Sequence, residues 1–345
     1  SSAASDVYKR QKGLASNLDM YNEGQAVIVG GLEITKEKYG EATEVTADMP
    51  IEQGGVYFVS TNNVRLTYNL GTTGVDNLII VPTTKDVTTI NLVVSKQIYL
   101  KGMFACQNVT LLNQVPNAAS FHYPLRIIAE QNINIVLDGC KVNGLVPTKG
   151  FAMKSSEVSA VSVDNFIIHN SDINLAQSGA ALYLLTQMSC KNISLDNNLI
   201  YASSLDGNVT EFKIFNGNGL TVETLNLTSN TLIDIESSGA SLYGLVRAAK
   251  VLKATVKDNL YWLSDAAKAA YFFTGASTLV ESLDSSDNFG YSVSDKPLRM
   301  FQNTAIDPDV KLVEGLFNTT DPATFNKSTG TFIPKEGYTQ YGAQR

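Results

Sequence analysis

Five stretches of the chain share one pattern of apolar and polar positions. INIVLDGCKV, FIIHNSDINL, ISLDNNLIY, LNLTSNTLI and ATVKDNLYWL each alternate apolar residues, cross a short cluster of Asn, Asp, Ser, Thr or Gly, and resume apolar residues. SLDSSDNFGYS is a weaker sixth copy, and NVTLLNQV around Asn113 is a further one upstream. Alternation with period two predicts strands, and the polar cluster predicts a tight turn between two of them. Asn and Gly suit such a turn because one of its positions often needs the left-handed backbone region, which Asn tolerates better than most residues.

Aligning the copies on their turns places Cys140, Asp172, Asn198, Asn230, Asn259 and Asn288 at one position, spaced by 32, 26, 32, 29 and 29 residues. Other strand-like runs, such as AALYLL (180–185) and EFKIF (211–215), lie between the copies. A unit of about thirty residues with three short strands cannot bury an apolar face alone, but a stack of such units can. The expected fold is all-β: a right-handed, single-stranded parallel β-helix. It would run as a solenoid of about eight coils, about 40 Å long at one strand spacing per coil. Turn asparagines at equivalent positions would hydrogen-bond in a ladder along it. The period and motifs of leucine-rich repeats and propellers do not occur.

Residues 56–300 are assigned to the solenoid. Residues 12–55 differ in texture and read as an N-terminal cap and first coil, or as the end of a truncated upstream domain. Residues 301–345 are turn-rich and read as a C-terminal capping segment, along the rod or over its end. Residues 1–11, SSAASDVYKRQ, show no element and resemble the translated end of a sequencing adapter. On that reading the native chain begins at Lys12 or later, and any export signal or lipid anchor precedes it.

Composition narrows the function. Apolar residues make up 44% of the chain and charged residues 17%, leaving a polar surface of Asn, Ser and Thr. A net charge of −7 without any Lys/Arg run does not fit a nucleic-acid phosphate footprint. Cys106, Cys140 and Cys190 lack metal-ligand spacing and read as small buried hydrophobes, with a disulfide or reactive thiol as the alternative. The Asn-x-Ser/Thr triplets at Asn108, Asn192, Asn208, Asn226, Asn318 and Asn326 follow from placing turn Asn beside β-branched strand residues.

The coil stretches DNNLIY, TSNTLI and KDNLYWL, with the closing TTDPATFNKSTGTFIPKEGYTQYGA, resemble the uncharacterised β-helix proteins of gut Bacteroidota in the pectate-lyase-like superfamily. The resemblance covers residues 56–345. It implies an extracytoplasmic protein, periplasmic, secreted or held at the cell surface as a lipoprotein, associated with polysaccharide utilisation. The NTD, DD, GHG and RIK motifs of polygalacturonases do not occur, nor do the WIDH and RxPxxR settings of pectate lyases.

Several residues remain as candidates. Asp138, Asp172, Asp196 and Asp258 sit in the repeat's turns, where they cap backbone amides or form an acidic strip that binds Ca²⁺. Tyr123, Tyr261, Trp262 and Tyr271 offer flat faces for a sugar ring, or else belong to the core. His169 has no partner in view in the sequence, and Arg126 and Arg247 are either paired or lyase-type cations. The leading expectation is a glycan-binding solenoid whose partner is a polysaccharide. A polysaccharide lyase or hydrolase with an unfamiliar site, and an adhesin-like structural protein, are the alternatives.

Overall fold

The computed structural model describes residues 15–115, 124–143, 151–175, 181–184, 188–202, 213–216, 219–233, 246–263, 270–273, 279–292, 298–301, 310–317 and 333–344. The chain is a parallel β-solenoid. A coil of the repeat region has three strands, as in Leu125–Ile127, Ile133–Asp138 and Lys141–Asn143. Each strand pairs in parallel with its counterparts one coil before and after. The long strands before the turn make a first face, those after it a second face, and the short remaining ones a third.

Among the described residues the second face stacks eleven strands, from Met49–Ile51 to Val310–Leu312, where about eight coils are expected. The register explains the difference. From Thr110 onward the coil steps are 31, 31, 27, 32, 29 and 29 residues, close to the repeat read from the sequence. Before it they are 17, 26 and 19. These early coils are short because Gly74–Pro82 and Ile98–Gln107 run through the first and third faces as single long strands, with a register shift between Val75 and Asn77. The stack includes Ala42–Val45, which pairs in parallel with Gly55–Val59.

A buried corner between the first and second faces sets the register. One residue per coil there is left-handed: Asn108, Gly139, Asn170, Asn197, Ser229, Asp258 and Asp287, with φ between 53° and 64°. The next residue turns its side chain inward. Asn198, Asn230, Asn259 and Asn288, each at most 2% exposed, form a continuous ladder. In each step the backbone N–H and the side-chain Nδ2 of one Asn donate to Oδ1 of the next, at 2.8 to 3.3 Å. Each Nδ2 also donates to a carbonyl of the preceding strand, as Asn230 does to Leu195 at 2.9 Å.

Ser171 continues the ladder toward the N-terminus. It donates its N–H to Asn198 Oδ1 and accepts the Cys140 N–H on its Oγ. The equivalent position is therefore Ser171, not Asp172, and in the upstream copy it is Val109 rather than a position near Asn113. Cys106, Cys140 and Cys190 are free and buried, and burial pushes the Cys140 and Cys190 thiols up to about 12.

Two segments lie along the sides of the stack. The helix Asn17–Asn22, whose Ser16 and Asp19 form a capping box, and the hairpin of Val27–Val29 and Leu32–Ile34 cover the outer side of the first face. Gly30 and Gly31 make the hairpin's two-residue turn with φ of 56° and 87°, as primed turns require. Beneath them Val56, Phe58, Ile79, Val81, Met103, Ala105, Val136 and Ile167 are buried. This two-sided burial is why VYFV, LIIV and FIIH read as apolar runs rather than alternations.

The second cover is C-terminal. Leu316, Phe317, Tyr338 and Tyr341 pack over Leu199, Tyr201, Ile233, Leu260, Trp262 and Phe289 on the outer side of the second face. Residues 342–344 cross three coils there: Gly342 N–H donates to Asp258 O, Ala343 N–H to Thr231 Oγ1 and Gln344 N–H to Asn197 Oδ1.

Replacing Asn230 by Ala removes the acceptor of two buried donors of Asn198 and the amide that serves Leu195 O. At about 1–3 kcal/mol for each buried donor left unmet, Asn230→Ala should lose about 3 kcal/mol or more in urea unfolding. Thr255→Ala, on the open outer side of the first face, should stay within about 0.5 kcal/mol. Equal losses would remove the ladder as the main constraint.

Candidate functional site

The N-terminal hairpin covers only part of the first face, and the composition of the outer columns changes where the cover stops. One column reads Val56, Ile79, Ala105, Val136, Ile167, Ser194, Asn226, Thr255 and Asp284. It is apolar beneath the hairpin and polar from Ser194 on. Beside it run Asn134, Asn165, Asn192, Thr224, Lys253 and Ser282 on one side. Asp138, His169, Asp196, Thr228, Lys257 and Ser286 run on the other. Strand alternation aims all three columns outward, and the coils repeat them about every 4.8 Å.

Where the columns meet the hairpin a cleft of about 360 Å³ opens. Its walls include Glu33, Thr35, Lys38 and Tyr39 from the cap, and its floor Asn134 and Asn165. Tyr39 is half-buried against the cap's core, with the Lys38 ammonium 5.1 Å from its ring centre. The floor is a second, outer amide ladder: Asn165 donates to Asn134 Oδ1 at 2.8 Å and Asn192 to Asn165 Oδ1 at 3.3 Å. Asn134 Nδ2 has no hydrogen bond to a described residue and remains available to a ligand.

The residues singled out from the sequence lie elsewhere. Tyr261 points into the solenoid core at 1% exposure. Trp262 points outward but is fully buried under the C-terminal segment. Tyr271 is 5% exposed on the third face, in register with Arg299. As placed, none of the three offers a face to a sugar ring: Tyr261 belongs to the core, Trp262 is covered, and Tyr271 is buried. Tyr123 lies outside the described residues.

The four aspartates do not converge. Asp138 and Asp196 share a column two coils apart, about 10 Å at the strand spacing. Asp258 is a left-handed corner residue, and Asp172 begins a second-face strand. Asp138 is engaged, accepting from Gly30 N–H, Gln107 and Asn170. Among the described residues no group of three or more His, Cys, Asp or Glu gathers as a metal site. Arg126 stacks over Tyr99 and donates to its hydroxyl and to Ser155 Oγ, and Arg247 lies beside Asn216 on the third face.

His169 is on the open face and has a partner: its Nε2 lies 2.9 Å from Ser194 Oγ. Strand alternation together with the repeat alignment contained this pairing, since Ser194 is two residues before Asp196 and Asp196 aligns with His169. The cleft joins residues about a hundred positions apart, which no local pattern signals. Compared with protein-family models, with curated proteins and with solved structures, the chain matches none.

Partial burial, the neighbouring Asp287 and, in the opposite sense, Lys257 set the acidity of Asp258, with a net upward push from the usual 3.8. A raised carboxyl holds its proton more tightly in the folded than in the unfolded chain. Its ionisation therefore costs stability as pH rises through the folded value. Asp258→Asn, which keeps a residue tolerant of the left-handed region, should raise Tm at pH 7. The gain should vanish when pH falls below about 3.8, where both states are protonated. A Tm difference independent of pH would contradict this assignment.

Proposed function

We propose that the protein is an extracytoplasmic β-solenoid that binds polysaccharide as part of a glycan-utilisation system. The observation that carries the reading is the polar outer side of the first face, four coils long from Ser194 and continuous with the Tyr39 cleft. An extended glycan meets amide, hydroxyl and ammonium groups there at a repeat close to the thickness of one coil. Tyr39 supplies the amphipathic ring against which a sugar packs, while Asn134 and Asn165 meet its hydroxyls.

The electrostatics of the face favour a polar polymer over a highly charged one. Its charges are largely paired across coils: Lys191 with Asp164 at 2.7 Å, Lys250 with Glu281 at 2.6 Å and Lys257 with Asp284 at 2.7 Å. Such exposed pairs add little stability, but they leave the face close to neutral. The resemblance of the coil stretches DNNLIY, TSNTLI and KDNLYWL suggests the cellular setting, and the cleft supports the binding.

Affinity gels cast with plant and host polysaccharides, with and without Ca²⁺, test this reading. The expected outcome is retardation by at least one glycan, weakened about tenfold in Kd by Tyr39→Ala, the loss of one ring contact in a binding pocket. Tyr271→Phe should leave it unchanged. Retardation that survives Tyr39→Ala and Asn165→Ala together would move the site away from the cleft, and no retardation by any glycan would overturn the reading.

A further inference from the structure

On the open face His169 and Ser194 are a hydrogen-bonded pair on neighbouring coils, diagonal to each other across the parallel register. Both side chains are partly exposed. His169 stands in its column between Asp138 on one coil and Asp196 on the next. Thr228 donates its hydroxyl to Asp196 Oδ1 at 2.5 Å, which fixes that carboxylate. Ser194 stands between Ile167, which lies beneath the hairpin turn at Gly30, and Asn226 on the following coil. The Asn226 amide has no hydrogen bond to a described residue. A hydroxyl bonded to an imidazole, with a carboxylate in the imidazole's column and a free amide beside the hydroxyl, is the residue set of acyl transfer.

We propose that Ser194 and His169 form a hydrolytic site for carboxylic esters, with acyl groups borne on carbohydrate hydroxyls as its substrates. Ser194 Oγ attacks the acyl carbon while its proton passes to His169 Nε2. The bond from that carbon to the alcohol oxygen breaks, and the departing oxygen takes the proton from His169. Water then attacks the acyl-serine with the same imidazole as base, releasing a carboxylic acid and restoring the serine. Asp138 and Asp196 face the positive charge that the imidazole carries in transit. Asn226 Nδ2 is the donor placed for the developing oxyanion. The ester chemistry stands on these residues alone, and only the carbohydrate as the alcohol rests on the binding reading above.

The test uses the full chain with p-nitrophenyl acetate and a fluorophosphonate probe. The expected result is turnover that falls about 100-fold or more in Ser194→Ala and in His169→Gln. The probe's mass should appear on the peptide containing Ser194, and Thr73→Ala, in an exposed turn of the early coils, should keep the rate. Absence of label on Ser194 in the folded wild-type chain, or equal rates in Ser194→Ala, would overturn the site. Loss of glycan retardation with ester cleavage intact would remove only the carbohydrate as the alcohol. Retained retardation in an unlabelled, inactive chain would remove only the chemistry.

Discussion

The structure depends on a column of amides buried at one corner of the stack. Asn198, Asn230, Asn259 and Asn288 each fill the donor and acceptor needs of a left-handed turn and of the neighbouring coil at once. A parallel stack of strands is otherwise open to slippage, since its apolar contacts are non-directional. A buried amide that misses its partner is costly, so one register is favoured over its neighbours. That constraint lets outward residues of different coils form straight columns.

Two covers then decide which columns become surface. The N-terminal helix and hairpin take the outer side of the first face over its early coils, and the C-terminal segment takes the outer side of the second face over the later ones. What they leave open is the later part of the first face, and the hairpin edge adds a wall to it. The Tyr39 cleft and the His169–Ser194 pair both sit at that edge, where a rigid floor meets a cover that excludes water on one side. Asp138 joins the two structures, receiving the Gly30 N–H of the hairpin while standing in the column of His169.

Much of this was legible in the sequence, and the failures have physical causes. The repeat announced the solenoid and its Asn ladder because the turn chemistry is local. Ser171 was missed because Ser replaces Asn there, and spacing alone cannot distinguish it from Asp172. Tyr261 and Trp262 stood as candidates because strand alternation turns one of two neighbouring residues outward. An unbroken apolar run in fact marks burial on both sides, by the core within and the C-terminal segment without. The expected number of coils is too low because the early strands fuse and shorten the period to 17, 26 and 19 residues. Cleft and diad depend on which coil lies beside which, a property of register that periodicity does not specify.

Native-state hydrogen exchange at the backbone amides of Asn198, Asn230 and Asn259 shows whether the corner ladder holds the register. Each of these donates to a side-chain oxygen rather than to a strand partner. If it does, they exchange only through global unfolding, as slowly as the central strands of the first face. Exchange at the rate of ordinary turn amides would contradict it.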